Sequence, residues 1–227
     1  KFLVYPYEMV YTYKAVGIAQ TWEEIANAPY QNDNLAPGDL LMEDINGDGV
    51  IDSNDKVAMP NSMRYIPTSD FSINFNADWK GFDLSMLFQG NAGRKNFWLD
   101  NFNNVNVYTS RYAFQEHHLD TWSPDNRGAK FPRLTSGSNG GFNQEQSTFW
   151  LYSCDYIRLK NIQLGYRIPS KLLKYIGVSS ARIHISAENL FTITKWPGLD
   201  PEKLPKSASE IHYPLMKNYS LGINVTL

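Results

Sequence analysis

Residues 71–90, FSINFNADWKGFDLSMLFQG, restrict the fold more than any other stretch of the chain. Phe71, Ile73, Phe75, Ala77 and Trp79 alternate with Ser72, Asn74, Asn76 and Asp78, so a strand here has one apolar and one polar face. After Lys80-Gly81 the pattern resumes with Phe82, Leu84, Met86 and Phe88 against Asp83, Ser85 and Gln89, Leu87 being the one exception. Alternating arms separated by so short a turn predict a tight β-hairpin. Such an apolar face suits either the core of a β-sandwich or the lipid side of a barrel wall. Each arm is about as long as a tilted membrane-crossing strand, roughly 9 to 11 residues, and Trp79 and Phe82 beside the turn suit an interfacial aromatic girdle.

Composition excludes several classes without choosing between those two. The chain has 227 residues, a net charge of -2 and 19% charged residues, so no basic surplus draws it to nucleic acid. No apolar run reaches about 18 residues, which excludes a helical membrane span. A mean hydropathy of -0.42 does not exclude a barrel, whose lumen-facing residues and polar loops dilute the apolar ones. Cys154 is the sole cysteine, so no internal disulfide framework can form and the thiol is expected to fill space. The opening KFLVYPYEMVYTYK shows no signal-peptide pattern and reads at once as strand, so the sequence is expected to begin within a longer protein.

Residues 4–18 read as the first strand, with Tyr5, Tyr7, Met9, Tyr11 and Tyr13 on one face and Glu8, Val10, Thr12 and Lys14 on the other. Thr21 and Glu24 have the spacing of a capping box for a short helix, and residues 27–38, rich in Asn, Asp and Pro, read as loop. Residues 44–55, DINGDGVIDSND, form the strongest local motif. Asp44, Asn46 and Asp48 fall at loop positions 1, 3 and 5, Gly49 at 6, the Val50 carbonyl at 7, Asp52 at 9 and Asp55 at 12, which is the spacing of a calcium loop. An all-oxygen donor set favours Ca²⁺ over zinc, and Asp at position 12 with no amphipathic helix before Asp44 points to a structural site, not a sensor. The alternative is a solvated acidic turn.

Residues 111–122 read as helix, and on a helix the adjacent His117 and His118 would diverge by about 100°, which argues against a shared metal. Strand character returns over residues 151–168, where Ile162, Leu164, Tyr166 and Ile168 alternate with Asn161, Gln163, Gly165 and Arg167. Residues 169–180 read as a connector. Ala181, Ile183, Ile185 and Ala187 then alternate with Arg182, His184, Ser186 and Glu188, and a last strand sets Tyr219, Leu221, Ile223, Val225 and Leu227 against Ser220, Gly222, Asn224 and Thr226.

About six strands emerge, and their connections alternate long (19–70), short (80–81), long (91–150), short (169–180) and long (194–212). Outer-membrane barrels have short periplasmic turns and long outer loops, whereas a sandwich has no reason for that alternation. The parity places the three long loops, the calcium loop among them, outside the cell and the C-terminus on the periplasmic side. On this reading Asn74, Asp83, Arg182, His184 and Glu188 face the lumen, while Phe71, Ile73, Phe75, Phe82, Leu84, Met86, Leu221, Ile223 and Val225 face lipid. Phe97, Trp98, Phe102 and Tyr108 are expected to be exposed loop aromatics, suited to stacking on sugar rings or packing on a partner.

LMEDINGDGVIDSND, WKGFDLSMLFQGNAG, WSPDNRGAKFPR, YIRLKNIQLGYRIP and NLFTITKWPGLDPE occur in the order and spacing of the C-terminal third of SusC/RagA-type TonB-linked outer-membrane proteins of the Bacteroidetes, which the chain resembles. The terminal Leu227, where that family more often ends in Phe, and Trp196-Pro197 depart from its pattern. The resemblance implies a plugged barrel of about 22 strands, a SusD-like surface lipoprotein as lid, and TonB-driven import of glycans or peptides. It also implies that the signal peptide, TonB box, plug and earlier strands lie outside this sequence. No nucleophile-base-acid set and no phosphate loop are present, and His117, His118, His184 and His212 sit in no Ser or Cys motif, so no enzyme is expected. The competing classes are a secreted, calcium-stabilised carbohydrate-binding sandwich and a surface adhesion module that docks through DINGDGVID.

Overall fold

The computed structural model of the chain describes residues 9–63, 67–98, 116–135, 137–203, 213 and 215–227. Its strands are β1 (Met9–Thr12), β2 (Ala15–Ile18), β3 (Leu40–Met42), β4 (Val57–Met63), β5 (Ser69–Trp79), β6 (Phe82–Ala92), β7 (Lys95–Phe97), β8 (Leu151–Ser153), β9 (Tyr156–Arg167), β10 (Ser180–Thr194) and β11 (Asn218–Thr226). Two short helices, α1 (Trp22–Ala26) and α2 (Ser170–Leu173), and several 3-10 turns complete the described elements. These elements fall into two compact units.

One unit is a single antiparallel sheet in the order β11-β10-β9-β6-β5. The β5–β6 hairpin closes as the sequence predicts, because Lys80 and Gly81 both take positive φ (47° and 89°) and give the turn a twist that matches the strands. Its register sets Trp79 opposite Phe82 and Phe75 opposite Met86. The same phase carries through the other pairings. Ala77, Leu84, Leu164, Ile185 and Leu221 form one row across the sheet, and Phe75, Met86, Ile162, Ala187 and Tyr219 form the next. A slip of one residue in any pair would move a whole strand's apolar set to the other face. The apolar face is not a covered core: Ile73, Ile185 and Leu221 are 55%, 54% and 71% exposed.

The other unit joins β1 to β4 and β2 to β3. Its core is Tyr13, Leu40, Met42 and Ile51, with Ala15, Ile18, Phe142 and Phe149 against it. A single first strand over residues 4–18 is not what forms, and residues 1–8 lie outside the described residues. β1 and β2 are separate because the Tyr13 backbone is diverted: its N–H donates to Gln146 O at 3.3 Å and its carbonyl accepts from Thr148 N at 2.9 Å. The expected faces also change, since Val10 and Thr12 are buried and Tyr11 is exposed. Residues 19–70, read as loop, contain α1, β3 and β4. The cap of α1 forms as expected at Thr21, whose side chain accepts from Glu24 N at 3.2 Å, while Glu24 answers one residue early, at Gln20 N.

The helix expected over residues 111–122 is corrected where it is described. Glu116–Asp120 is a 3-10 helix that stops because Thr121 and Trp122 turn to pair with Phe131, with Trp122 N–H donating to Phe131 O at 2.8 Å. The His117 and His118 rings lie with their centroids 4.0 Å apart, so the expected divergence of the two side chains is not what forms. The strand expected over residues 151–168 is broken at Cys154-Asp155: Cys154 N–H donates to Arg94 O, and the Asp155 carboxylate takes Gly93 N–H at 2.8 Å. Cys154 is buried.

Candidate functional sites on the sheet and in the acidic loop

The register puts Asn74, Asp83, Arg182, His184 and Glu188 on one face of the sheet, opposite the apolar rows. Asp78, Asp83, Gly165, His184 and Gly222 form one row, and Asn74, Leu87, Asn161, Glu188 and Asn218 another. Arg182 reaches over Gly165 to grip Asp83, with Nε to Oδ2 at 2.9 Å, a second contact between Nη2 and Oδ1, and Nη2 to Gln163 Oε1 at 3.2 Å. A Cβ at Gly165 would stand 2.6 Å from Arg182 Nε and from Asp83 Oδ1, so the glycine is the space in which this fork lies. Gly222 serves the His184 ring in the same way. Ser186 and Ser220 hydroxyls meet at 2.6 Å, and Asn218 donates to Glu188 at 3.2 Å. These groups bond from strand to strand, which makes the face a braced polar wall with acidic and basic groups side by side.

A second cluster gave no sequence signal beyond a lone arginine among apolar strand residues. Arg158, on β9, has 3% of its side chain exposed, and it donates from Nη2 to Asp200 at 2.9 Å, from Nη1 to Glu202 at 2.7 Å and from Nε to Thr192 at 2.8 Å. Arg94 Nη2 donates to Pro201 O. The described start of the β10–β11 connection is thereby bolted to the sheet.

The acidic loop wraps around its own side chains. Asp44 accepts from Gly47 N at 2.7 Å and Gly49 N at 2.8 Å, Asn46 from Asp48 N at 2.9 Å, and Asp48 from Val50 N at 2.9 Å. Asp55 is fully buried and accepts from Ile45 N and Asp52 N, at 2.9 Å and 2.8 Å, while Asp52 caps the turn Ser53–Asp55. The Asp52 N–H foremost, against the opposing pull of burial, holds the Asp55 carboxyl below its ordinary value of 3.8. Tyr30 clasps the loop from outside, its N–H donating to Gly49 O and its carbonyl accepting from Ile51 N, both at 2.8 Å. Among the described residues no three His, Cys, Asp or Glu side chains meet around one point. The donor chemistry nevertheless fits a hard cation. Every side-chain donor is oxygen, an ionised carboxylate keeps lone pairs beyond those given to N–H groups, and Gly47 and Gly49 supply the tight turns at φ 75° and 86°.

The chain just before this loop is held by a buried carboxylate paired with a half-buried arginine. Asp39, 4% exposed, takes a two-pronged contact from Arg133 (2.7 and 2.9 Å) and a third from Asn143 at 2.7 Å. Gly38, at φ 96°, sits against the Trp122 ring, where no side chain would fit. Phe97 and Trp98 correct the expectation of exposed aromatics: both are 6% exposed. Trp98 packs with Phe131, Trp150 and Tyr152, and these rings shed water against one another. Phe102 and Tyr108 lie outside the described residues.

No family model matches the chain. It is 28% identical over 202 residues to TonB-dependent receptor P3 of Formosa agariphila, which spans 83% of this chain and 19% of that receptor. It is also 28% identical over 199 residues to TonB-dependent receptor SusC of Bacteroides thetaiotaomicron, spanning 86% of this chain and 18% of that one. Over most of its length the chain is similar in sequence to TonB-dependent receptors. It spans about a fifth of the length of the curated relatives it matches. Two solved structures share its fold: the RagAB peptide transporter (TM-score 0.66, 22% identity, 96% of this chain and 22% of that one) and the RagAB peptide importer in the 'closed-closed' state (TM-score 0.68, 23% identity, 96% and 23%). The fold is therefore all-β, an antiparallel arrangement of strands like that of the matching part of those barrel structures. By name these similar proteins are receptors and a transporter; none is an enzyme.

Proposed function

We propose that this chain is the C-terminal part of the wall of an outer-membrane, TonB-dependent importer of large nutrients, glycans or peptides, that works with a SusD-like lipoprotein lid. The observation that carries the reading is the exposed apolar face, continuous in register across all five strands of the sheet. A secreted sandwich would have to cover that face with a second layer, since water in contact with it costs about 25 cal/mol per Å²; a bilayer needs it bare. The face bearing Asn74, Asp83, Arg182, His184 and Glu188 then lines the lumen, and the long connections 19–70, 91–150 and 194–212 face outward toward lid and cargo. The remaining barrel strands, the plug and the contact with TonB belong to the rest of such a receptor. The direct test is uptake of labelled glycans and peptides by cells that have or lack the polypeptide carrying this sequence, with TonB present or removed. TonB-dependent accumulation of one cargo class is expected. Recovery of the polypeptide as a soluble monomer without detergent would overturn the reading.

Within that reading the acidic loop is a structural calcium site. Asp44, Asn46, Asp48, the Val50 carbonyl and Asp55 would hold the ion, with Asp52 acting through water. When bound, the ion supplies only charge neutralisation. The chain's own part is to fix the oxygens, through Tyr30 on one side and the part-buried Asp39–Arg133 pair on the other. Because the ion must compete with N–H donors already in place, affinity in the range of about 10⁻⁴ to 10⁻³ M is expected, enough for an outer-surface module. Asp48→Ala should expose residues 44–60 to protease while the barrel stays inserted. Calcium titration checks this: absence of binding at millimolar calcium removes the site.

A further inference from the structure

The end of the sheet that carries the Lys80-Gly81 turn also carries a patch for which import has no use. Between β9 and β10, α2 and the turn Lys174–Ile176 form a small lobe. Backbone bonds fix it to the strand ends: Ile168 N–H donates to Ala181 O and Ser179 N–H to Thr226 O, both at 2.9 Å, and Val178 N–H closes onto Leu173 O at 3.3 Å beyond the left-handed Gly177. Leu173 is buried and anchors the lobe. Leu172, Tyr175 and Ile176 stand 63%, 90% and 69% exposed on this short lobe. A fixed turn that holds three large apolar side chains in water is losing free energy unless something covers them.

Two features of the same end say what covers them. The first is charge. Arg167 faces Asp78 at 3.6 Å and Arg182 holds Asp83, so those cations are matched, whereas Lys80, Lys171 and Lys174 form no salt bridge among the described residues. The second is continuity. The β5–β6 turn at this end presents Trp79, 68% exposed with Lys80 Nζ 5.0 Å over its ring, and Phe82 against Tyr166 at 4.6 Å, which are the last members of the apolar rows. Apolar rings and unmatched lysines at the rim of an apolar face match the boundary between acyl chains and anionic headgroups.

We propose that the lobe is an interfacial membrane anchor: Leu172, Tyr175 and Ile176 enter the headgroup boundary of a phospholipid layer, and Lys171, Lys174 and Lys80 meet its phosphates. The proposal rests on the reading of the sheet's apolar face as the lipid face. The lobe ties the turn end of the wall to one leaflet and sets its depth there.

The test uses the receptor polypeptide carrying this sequence, in a Cys154→Ala background, reconstituted in vesicles of phosphatidylethanolamine and phosphatidylglycerol. Tyr175→Cys and Ile185→Cys variants each receive one fluorophore, and an electrophoretic shift on heating confirms assembly of each. Position 185 should be quenched by nitroxide on the acyl chain. Position 175 should be quenched by nitroxide at the headgroup and shielded from iodide, and Lys171→Glu with Lys174→Glu should reduce that headgroup quenching. If position 185 is quenched by lipid but position 175 only by iodide, the anchor is overturned and the barrel stands. If no lipid quencher reaches position 185, the barrel reading falls and takes the anchor with it.

Discussion

Arg158→Met is expected to destabilise the protein by about 3 to 5 kcal/mol, the usual cost of removing one partner from a buried ion pair. Asp200, 6% exposed, would be left as an uncompensated charge, and Thr192 and Glu202 would lose their donor. The loss is local in consequence. Residues 195–203 lean on Arg158 and on the Arg94 contact with the Pro201 carbonyl, so they should become the first site of proteolysis while β9 and β10 remain paired. Urea unfolding with limited proteolysis measures both effects. Arg158→Met combined with Asp200→Leu should recover part of the loss, because no buried charge is then stranded. A change under about 1 kcal/mol in the single variant would mean that water already reaches the pair.

The second large effect separates the two faces of the sheet. Ile185 lies between Leu164 and Leu221, and its neighbour Ser186 lies between Gln163 and Ser220. Ile185→Arg should cost about 2 to 4 kcal/mol if the position is near the bilayer midplane, since the charge would enter hydrocarbon. Ser186→Arg joins a polar face that already holds Arg182, Gln163 and Glu188, and should cost much less. Folding yield into liposomes, followed by the heat-induced mobility shift, compares them. Equal costs would show that the two faces meet the same surroundings and would defeat the assignment of one to lipid.

The hairpin of β5 and β6 was legible because a period of two and a turn of two residues are local properties, and each fixes the register of the other. The phase of β9, β10 and β11 was legible for the same reason. Tyr13 shows where such reading stops. Its alternation with Tyr11 and Met9 looks like one long strand, but its backbone partners are residues 146 and 148, and no window of local sequence contains them. Phe97 and Trp98 were misplaced similarly: the rings that pack on Trp98 come from residues 117–152, outside any local window. The acidic loop was visible as spacing, while the part-buried Asp39–Arg133 pair that holds its approach, and Arg158 with its distant carboxylates, were not. Ion pairs between residues far apart in sequence leave no period behind them.

The five strands of the sheet lie beside one another in the order in which they occur along the chain, with tight links at one end and long excursions at the other. Register is therefore set at the tight end, by Lys80-Gly81 and by the lobe between β9 and β10, and does not depend on the length of the excursions. Doubling the length of such an excursion adds only about 0.6 kcal/mol of closure entropy. A residue added to or removed from an excursion at the open end therefore leaves the pairing of the sheet where the tight end has set it.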